Sequence, residues 1–290
     1  MRPAERPVRG RRERRAPHVS TTAESTTLSP RKPRESARPP GVRWRTGAKE
    51  LLLVALLYVG YSAGRLLADD DLASARDRAL DLLALEGLFG LDLEWAWSSW
   101  LASHHALAVA ASYWYSVGHY TVTPAVLLWL WWRRPSAYAR ERWTLVAASV
   151  IALVVYVAVP VAPPRLVGYV DVLASTAAAG WWSEHASAPA GLGHLTNELA
   201  AMPSLHVGWA CWVALVVWRL TRRPWARLLS LAHPVVTSLV VVATANHWLV
   251  DVLAGAVLVL AVDLAVGLWH DRARARRAVP MDWRDRGRSE

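Results

Sequence analysis

The chain has 290 residues, 54% of them hydrophobic, and a positive mean hydropathy of +0.18. Several nearly uncharged runs are long enough to cross a bilayer, which takes roughly 20 apolar residues, so the composition excludes a soluble globular domain and indicates a polytopic membrane protein. The single cysteine, Cys211, excludes an internal disulfide and a cysteine-based metal cage.

Residues 1–45 carry most of the net charge of +10, with twelve Arg and one Lys against four Glu, and they show no apolar period. This composition predicts a disordered tail. The alternatives for its role are an arm that binds nucleic acid or lipid, and a cytoplasmic tail that follows the positive-inside rule. We favour the cytoplasmic tail and expect no nucleic-acid partner.

The first predicted span covers residues 51–67. Residues 72–93 follow with apolar side chains at helical spacing and charges between them, which predicts an amphipathic helix on the membrane surface. We interpret Glu86 and Glu94 as solvated acids of the connecting loop.

Five further apolar runs complete the predicted bundle. They cover residues 105–132, 143–161, 205–220, 228–245 and 248–269. The predicted fold class is therefore all-α. It consists of a six-span transmembrane helical bundle at residues 49–270, a disordered basic N-terminal tail at 1–45 and a basic C-terminal tail at 271–290.

Arginine is concentrated in the loops after the second and fourth spans and in the two tails. Because the Lys/Arg bias sets the orientation of a membrane protein, we expect a multi-pass protein of the cell membrane with both termini in the cytoplasm. The end of the third span and the starts of the fourth and sixth spans then face outward.

Three polar segments lie at this outward rim. The first ends in Arg165, the second reads Pro-Ser-Leu-His at residues 203–206, and the third begins with His247 and includes Asp251. A polar group inside hydrocarbon is costly, so ionisable residues at the rims of membrane spans are functional candidates. Their shared side predicts that the three segments form one site.

His247 and Asp251 are four residues apart at the start of a helix, so they share one face. A carboxylate on one ring nitrogen fixes the tautomer and leaves the other nitrogen available as a base or nucleophile. His206, near the start of another helix, is expected to donate a proton, and such acid–base help contributes roughly 10²- to 10⁴-fold in rate.

Anion binding is predicted from two further residues. Ser204 and the backbone N–H groups at the start of the fourth span form an anion cradle, and Arg165 supplies a cation with bidentate geometry for phosphate. This set of groups predicts phosphoryl transfer through a phosphohistidine, with no metal and no cofactor.

The segments that carry these residues resemble the type 2 phosphatidic acid phosphatase superfamily, over about residues 49–269. Pro-Val-Ala-Pro-Pro-Arg at 160–165, Ala-Met-Pro-Ser-Leu-His at 201–206 and Asn-His-Trp at 246–248 are similar in particular to its inositol phosphorylceramide synthase-like branch. The expected substrate is a lipid phosphate or the phosphate of a phospholipid head group.

The resemblance implies a role for each candidate site residue. The catalytic residues are His247 as the nucleophile, Asp251 as its partner and His206 as the acid for the leaving group. The residues that bind the substrate phosphate are Arg165 and Ser204.

The sequence departs from the superfamily pattern at the phosphate clamp. The lysine expected seven residues before the arginine is Ala158, and the glycine of Pro-Ser-Gly-His is Leu205. The Ser-Arg pair before the third motif's histidine is Val240-Val241. Two of the usual three cationic contacts are therefore missing, which predicts a weaker clamp.

Two classes of function stay open at this point. The first is an enzyme that passes the phosphoryl group to water, as a hydrolase, or to a lipid alcohol or polyol, as a transferase. The second is a non-catalytic transporter or membrane protein in which His206, His247 and Asp251 bind protons or a metal. No motif specifies the acceptor or the oligomeric state.

Overall fold

The computed structural model describes residues 47–50, 52–53, 55–56, 59–60, 71–180, 182 and 198–278. The predicted disordered tail lies outside these residues, as do most of the first predicted span and residues 279–290 of the predicted C-terminal tail. The chain divides into two units, Met1–Lys49 and Glu50–Glu290, and the helices named below belong to the second.

Helices make up most of the part of the chain that the structure describes. In chain order they are α1 (Leu72–Leu88), α2 (Glu94–Ala102), α3 (His105–Arg133), α4 (Pro135–Ala158), α5 (Val172–Ser175), α6 (Leu205–Leu220), α7 (Pro224–Ala243) and α8 (Leu249–Ala278), with 3₁₀ turns at Pro164–Val167 and Ala177–Ala179. The described residues contain no β-strand, only an isolated bridge between Val161 and Ala200. The all-α prediction is therefore confirmed for this part of the chain.

Three helices are long and apolar enough to cross a membrane. They are Pro135–Ala158, Pro224–Ala243 and Leu249–Arg276, and the shorter helix Leu205–Leu220 is also apolar. These helices identify a membrane protein. The arrangement with six spans stays a prediction.

Local sequence explains where several helices begin. The Asp71 side chain accepts hydrogen bonds from Ala73 N and Ser74 N, at 3.0 and 3.3 Å, and caps α1. Pro135 and Pro224 stand in the first turns of α4 and α7, where the missing N–H group would have no helical partner.

The predicted amphipathic helix at 72–93 is interrupted. Helix α1 ends at Leu88, and Gly90 adopts a positive φ of 65°, which glycine accepts without a steric penalty. Helix α2 then starts at Glu94. Both helices expose large apolar side chains, among them Leu88 and Trp95.

Helices α6 and α8 approach each other closely at two glycines. A Cβ atom at Gly255 would lie only 2.2 Å from the carbonyl oxygen of Ser204, so the position accepts only glycine. On α6, a Cβ atom at Gly208 would lie 3.1 Å from Val259 Cγ2. The close approach brings together the first turns of α6 and α8, which carry candidate site residues.

Four charged residues join α4, α6 and α8 away from the candidate site, and we name them the distal ion cluster: Arg140, Glu141, Arg219 and Asp263. Arg219 contacts Glu141 at 2.9 Å and Asp263 at 2.6 Å. Arg140 contacts Glu141 at 2.8 Å and Asp263 at 3.2 Å. Asp263 follows Asp251 by twelve residues on α8, which corresponds to roughly 18 Å along a helix axis.

Candidate active site

Backbone hydrogen bonds bring the three predicted segments together. Arg165 N donates to Ala245 O at 2.9 Å, which ties the first segment to the third. Ser204 N donates to Asp251 O at 3.0 Å, which ties the second segment to the third. Segments separated by about forty residues in sequence therefore form one continuous structure.

His247 is buried between these segments, with 3% of its surface exposed. Its Nδ1 atom lies 2.8 Å from the carbonyl oxygen of Ala201. Because a carbonyl oxygen only accepts hydrogen bonds, Nδ1 carries the proton and Nε2 keeps a free lone pair. That Nε2 atom lies 3.4 Å from Nδ1 of His206, so the two imidazoles face each other.

Asp251 differs in one respect from the sequence-based interpretation. It shares a helix face with His247, but its Oδ2 atom is 3.6 Å from His247 Nδ1, beyond a normal hydrogen bond. The same oxygen accepts a hydrogen bond from Trp248 N at 2.8 Å, because Trp248 precedes the first turn of α8. The Ala201 carbonyl, and not Asp251, is therefore the direct partner of the ring nitrogen.

His206 lies in the first turn of α6, between two side chains of α3. The Tyr115 ring stacks on it, with ring centroids 4.5 Å apart and planes 22° apart. The His119 ring meets it edge to face, with centroids 4.1 Å apart. These contacts restrict the orientation of the His206 imidazole.

Ser204 is fully buried and caps α6. Its Oγ atom accepts a hydrogen bond from Val207 N at 3.5 Å, and its carbonyl oxygen accepts one from Gly208 N at 3.0 Å. The residue therefore stands at the positive end of the helix, as the sequence predicted.

Arg165 is held next to the histidine segment through Asn246. The guanidinium Nε donates to Asn246 Oδ1 at 3.1 Å, and Asn246 Nδ2 in turn donates to Thr244 O at 3.0 Å. The two terminal nitrogens of Arg165 lie 3.9 Å from Asp171 and 4.0 Å from Glu198. The cation is thus oriented by one direct hydrogen bond, and its acidic neighbours stay at longer range.

Glu86 and Glu94 are not solvated loop acids, and that interpretation is wrong. Both residues are fully buried at 0% exposure. Their carboxyl oxygens accept hydrogen bonds from the first backbone N–H groups of α8, which lack a partner within the helix. Contact with α8 therefore removes both acids from solvent.

Several contact residues of the site were not identified from sequence. Asn246 was noted only as part of a motif, although its amide orients Arg165. His119 was not among the candidate site residues, and its ring packs on His206. Ala201 acts through its backbone carbonyl, for which a sequence contains no signal because every residue has one.

Arg140 and Arg142 do not replace the missing clamp residues. Val241 is buried, and its carbonyl oxygen accepts hydrogen bonds from Asn246 N and His247 N at 3.1 and 3.2 Å. Arg140 belongs to the distal ion cluster, and Arg142 pairs with Glu50. Among the described residues, no group of three or more His, Cys, Asp and Glu side chains is arranged to hold a metal ion.

The fold and the site together define an α-helical membrane protein with a buried cluster of histidine, aspartate and arginine. Residues 80–265 match the family model of the PAP2 superfamily, and the chain belongs to that superfamily. Searches of curated proteins and of solved structures found no match.

Members of the superfamily are phosphoric ester hydrolases. Membership therefore supports a phosphatase-type enzyme that acts in a membrane, and it favours the enzyme over the transporter. The match extends to the superfamily as a whole, and the inositol phosphorylceramide synthase-like branch stays a prediction.

Proposed function

We propose that this chain transfers the phosphoryl group of a membrane lipid phosphate, or of a phospholipid head group, through a covalent phosphohistidine at His247. One observation carries the proposal: His247 Nδ1 is bound to the Ala201 carbonyl at 2.8 Å, which leaves Nε2 as the nucleophile facing His206. A fixed tautomer and an oriented ring are what nucleophilic catalysis by histidine requires.

In the first step, the lone pair of His247 Nε2 forms a bond to phosphorus. The bond from phosphorus to the leaving oxygen breaks, and His206 gives that oxygen a proton, so the product leaves as an alcohol or as a less charged phosphate. Positive charge develops on the His247 ring as the N–P bond forms. The carboxylate of Asp251, 3.6 Å from Nδ1, stabilises that charge.

In the second step, His206 acts as the base. It takes a proton from the acceptor hydroxyl, whose oxygen attacks the phosphohistidine and releases His247 Nε2 with its lone pair restored. Both histidines then return to their starting protonation states, and the cycle needs no metal or cofactor.

Arg165 and Ser204 are proposed to bind the phosphate. The Arg165 guanidinium sits 3.9 to 4.0 Å from its acidic neighbours, so a dianionic phosphate can replace these weak pairings with direct bidentate hydrogen bonds. Ser204 contributes the N-terminus of α6, where backbone N–H groups and the helix dipole favour an anion.

The molecule that accepts the phosphoryl group from His247 decides between two versions of the proposal. Water as acceptor makes the protein a lipid phosphatase, and a lipid alcohol or polyol makes it a phosphotransferase. The motifs at 160–165, 201–206 and 246–248 support the transferase through their resemblance to the inositol phosphorylceramide synthase-like branch.

We also propose that the site faces the outside of the cell membrane, with both termini in the cytoplasm. Arg133 ends α3 and Arg134 follows it, and Arg219 lies in the last turn of α6 with Arg222 and Arg223 after it, at the helix ends remote from His206 and His247. This distribution supports the orientation through the positive-inside rule. The assignment of residues 1–45 and 271–290 as cytoplasmic tails forms part of the same proposal.

The proposal is tested with purified protein in detergent and phosphatidic acid labelled with ³²P. We expect an acid-labile, base-stable phosphoprotein in a rapid quench, absent from the His247→Ala variant. Added inositol, or a lipid alcohol other than diacylglycerol, distinguishes the two versions, because a transferase yields a new labelled ester and a hydrolase yields only free phosphate. Turnover without a labelled protein, or labelling of the His247→Ala variant, would contradict the mechanism.

A further inference from the structure

The first turn of α8 is held by three carboxyl groups from three helices. Trp248 N donates to Asp251 Oδ2 at 2.8 Å, and Leu249 N donates to Glu94 Oε1 at 2.8 Å. Val250 N donates to Glu86 Oε1 at 2.7 Å. The first N–H groups of a helix need external acceptors, and negative groups are favoured at this end.

This arrangement costs more desolvation free energy than an ordinary helix cap. A single Ser, Thr, Asp or Asn next to the helix start usually satisfies such N–H groups while it stays near water. Glu86 and Glu94 instead come from α1 and α2 and are fully buried, and burial of ionisable groups carries a desolvation penalty. Their Oε2 atoms have no hydrogen-bond donor among the described residues.

The two N–H groups that Glu86 and Glu94 bind lie next to the candidate site, which gives a reason for the burial of these acids. The N–H groups of Leu249 and Val250 lie between His247 and Asp251 in the chain. Any rotation or fraying of this turn would change the direction of the His247 ring relative to His206. Misplacement of a reacting group by about 1 Å can cost roughly 10²-fold in rate.

We propose that Glu86 and Glu94 are positioning residues for His247, which fix the first turn of α8 from helices α1 and α2. This inference rests on the proposed function of His247. The two acids touch neither substrate nor the reacting atoms, and they act through the backbone of residues 249 and 250.

The charge balance of the pair supports this role. Burial, with smaller effects from Glu94 and Asp251, raises the pKa of Glu86 to about 8, so Glu86 is protonated at neutral pH. The Glu86 and Glu94 carboxyl groups also interact with each other, so a proton on Glu86 avoids two adjacent negative charges in a buried place. Tyr169 also faces the pair, with Asp92 nearby, and its pKa is raised by burial and by these acids.

Matched substitutions separate positioning from general stability. Glu86→Gln keeps an oxygen for Val250 N and a donor for Glu94, so it imitates the protonated acid. Glu86→Asp keeps the acid but shortens the side chain by one methylene, so it no longer reaches α8. Glu94→Ala removes the second bond, and Asp92→Ala removes an exposed acid between the pair as a control.

Two measurements are made on each folded variant. The first is kcat and KM for ³²P-labelled phosphatidic acid in detergent, and the second is amide hydrogen exchange of a peptide that covers residues 246–254. We expect Glu86→Asp and Glu94→Ala to lower kcat by roughly 10²-fold with little change in KM, and to speed exchange in that peptide. Glu86→Gln and Asp92→Ala should resemble the parent in both.

Several results would overturn the inference. One is parental kcat and parental exchange in both Glu86→Asp and Glu94→Ala. Another is lost kcat with unchanged exchange at residues 246–254, because the acids would then act elsewhere. If Glu94→Ala does not fold, the two variants of Glu86 provide the test. Equal kcat values for Glu86→Gln and Glu86→Asp would then contradict a positioning role for Glu86.

Failure of the proposed function gives a different pattern. If the parent protein has no activity on the lipid phosphate but exchange at residues 246–254 depends on Glu86 and Glu94 as expected, the anchoring of α8 stands and the phosphohistidine proposal falls. If the parent is active and exchange does not respond to either acid, the positioning inference falls alone.

Discussion

Two clusters of charged residues lie at different levels of the same bundle, and their ion pairs differ in distance. In the distal ion cluster, Arg219 is 2.9 Å from Glu141 and 2.6 Å from Asp263. In the candidate site, Arg165 is 3.9 Å from Asp171 and 4.0 Å from Glu198. One arginine is in direct contact with its acids, and the other is held just out of contact.

This difference separates a structural cluster from one suited to bind a ligand. The charges of the distal ion cluster satisfy one another, so they join α4, α6 and α8 and leave little capacity for another partner. Among the described residues, Arg165 donates one direct hydrogen bond, to Asn246, and its terminal nitrogens lie 3.9 and 4.0 Å from their acids, which leaves them as donors for an incoming anion. Four substitutions test this comparison, taken from the largest expected effect to the smallest.

Loss of the nucleophile should have the largest effect. We expect His247→Ala to reduce phosphate release from a short-chain phosphatidic acid by at least about 10³-fold, because the bond to phosphorus forms at this ring. The variant should stay folded, with a lower melting temperature because the buried Ala201 carbonyl loses its hydrogen-bond donor. His105→Ala, which removes an exposed imidazole at the start of α3, is the control. Retained phosphate release would remove His247 from the nucleophile role.

Replacement of the site arginine should weaken substrate binding. Arg165→Lys keeps the charge but loses the planar fork, so we expect apparent binding of the lipid phosphate to weaken by about 1 to 3 kcal/mol, measured from KM. Arg142→Lys, at a residue paired with Glu50, should leave KM unchanged. An unchanged KM for Arg165→Lys would place this arginine with Arg219, as a structural cation.

The distal ion cluster should affect stability and not chemistry. Glu141→Ala leaves Arg219 and Arg140 with one acid fewer, and we expect it to lower the free energy of unfolding by roughly 1 to 3 kcal/mol. Thermal melting in detergent measures the change, and Asp77→Ala removes an exposed acid as the control. A fall in kcat per folded molecule would show that the two clusters are coupled, which contradicts the comparison.

The smallest expected effect is a pH dependence from Glu86. Its pKa rises from 4.5 to about 8 in the folded protein, first because of burial. Between these values the folded state holds a proton that the unfolded state has lost, so this contribution to stability decreases as pH rises from about 4.5 to about 8. Melting temperatures of the parent and of Glu86→Gln, compared at about pH 5 and pH 9, should diverge in favour of the variant at high pH. Parallel changes in the two proteins would contradict the assigned titration.

The sequence predicted that three distant segments meet in one site, because each segment has a polar residue at the edge of an apolar run. Arg165, His206 and His247 each stand at the edge of an apolar run, and the arginine distribution assigns these edges to one side. The all-α class followed from the same apolar runs. Their residues are brought together in the structure, whereas their catalytic and binding roles stay predictions.

Other parts of the site depend on tertiary contacts that no local pattern reveals. The spacing of His247 and Asp251 predicted a shared helix face, but it could not show that a backbone carbonyl is nearer to the ring. Glu86 and Glu94 have the same local appearance as solvated acids. They cap a helix only because α8, more than 150 residues later in the chain, packs against them.

Gly255 sets the distance between α6 and α8 next to the candidate site. Its missing side chain lets the Ser204 carbonyl lie against α8, and the next turn of α6 carries His206. A methyl group at residue 255 would push α6 away from α8 and increase the distance between the imidazoles of His206 and His247. The distance between His247 Nε2 and His206 Nδ1 therefore depends on the absence of a side chain at residue 255. Substitution of Gly255 is the change to make first in order to widen the candidate site.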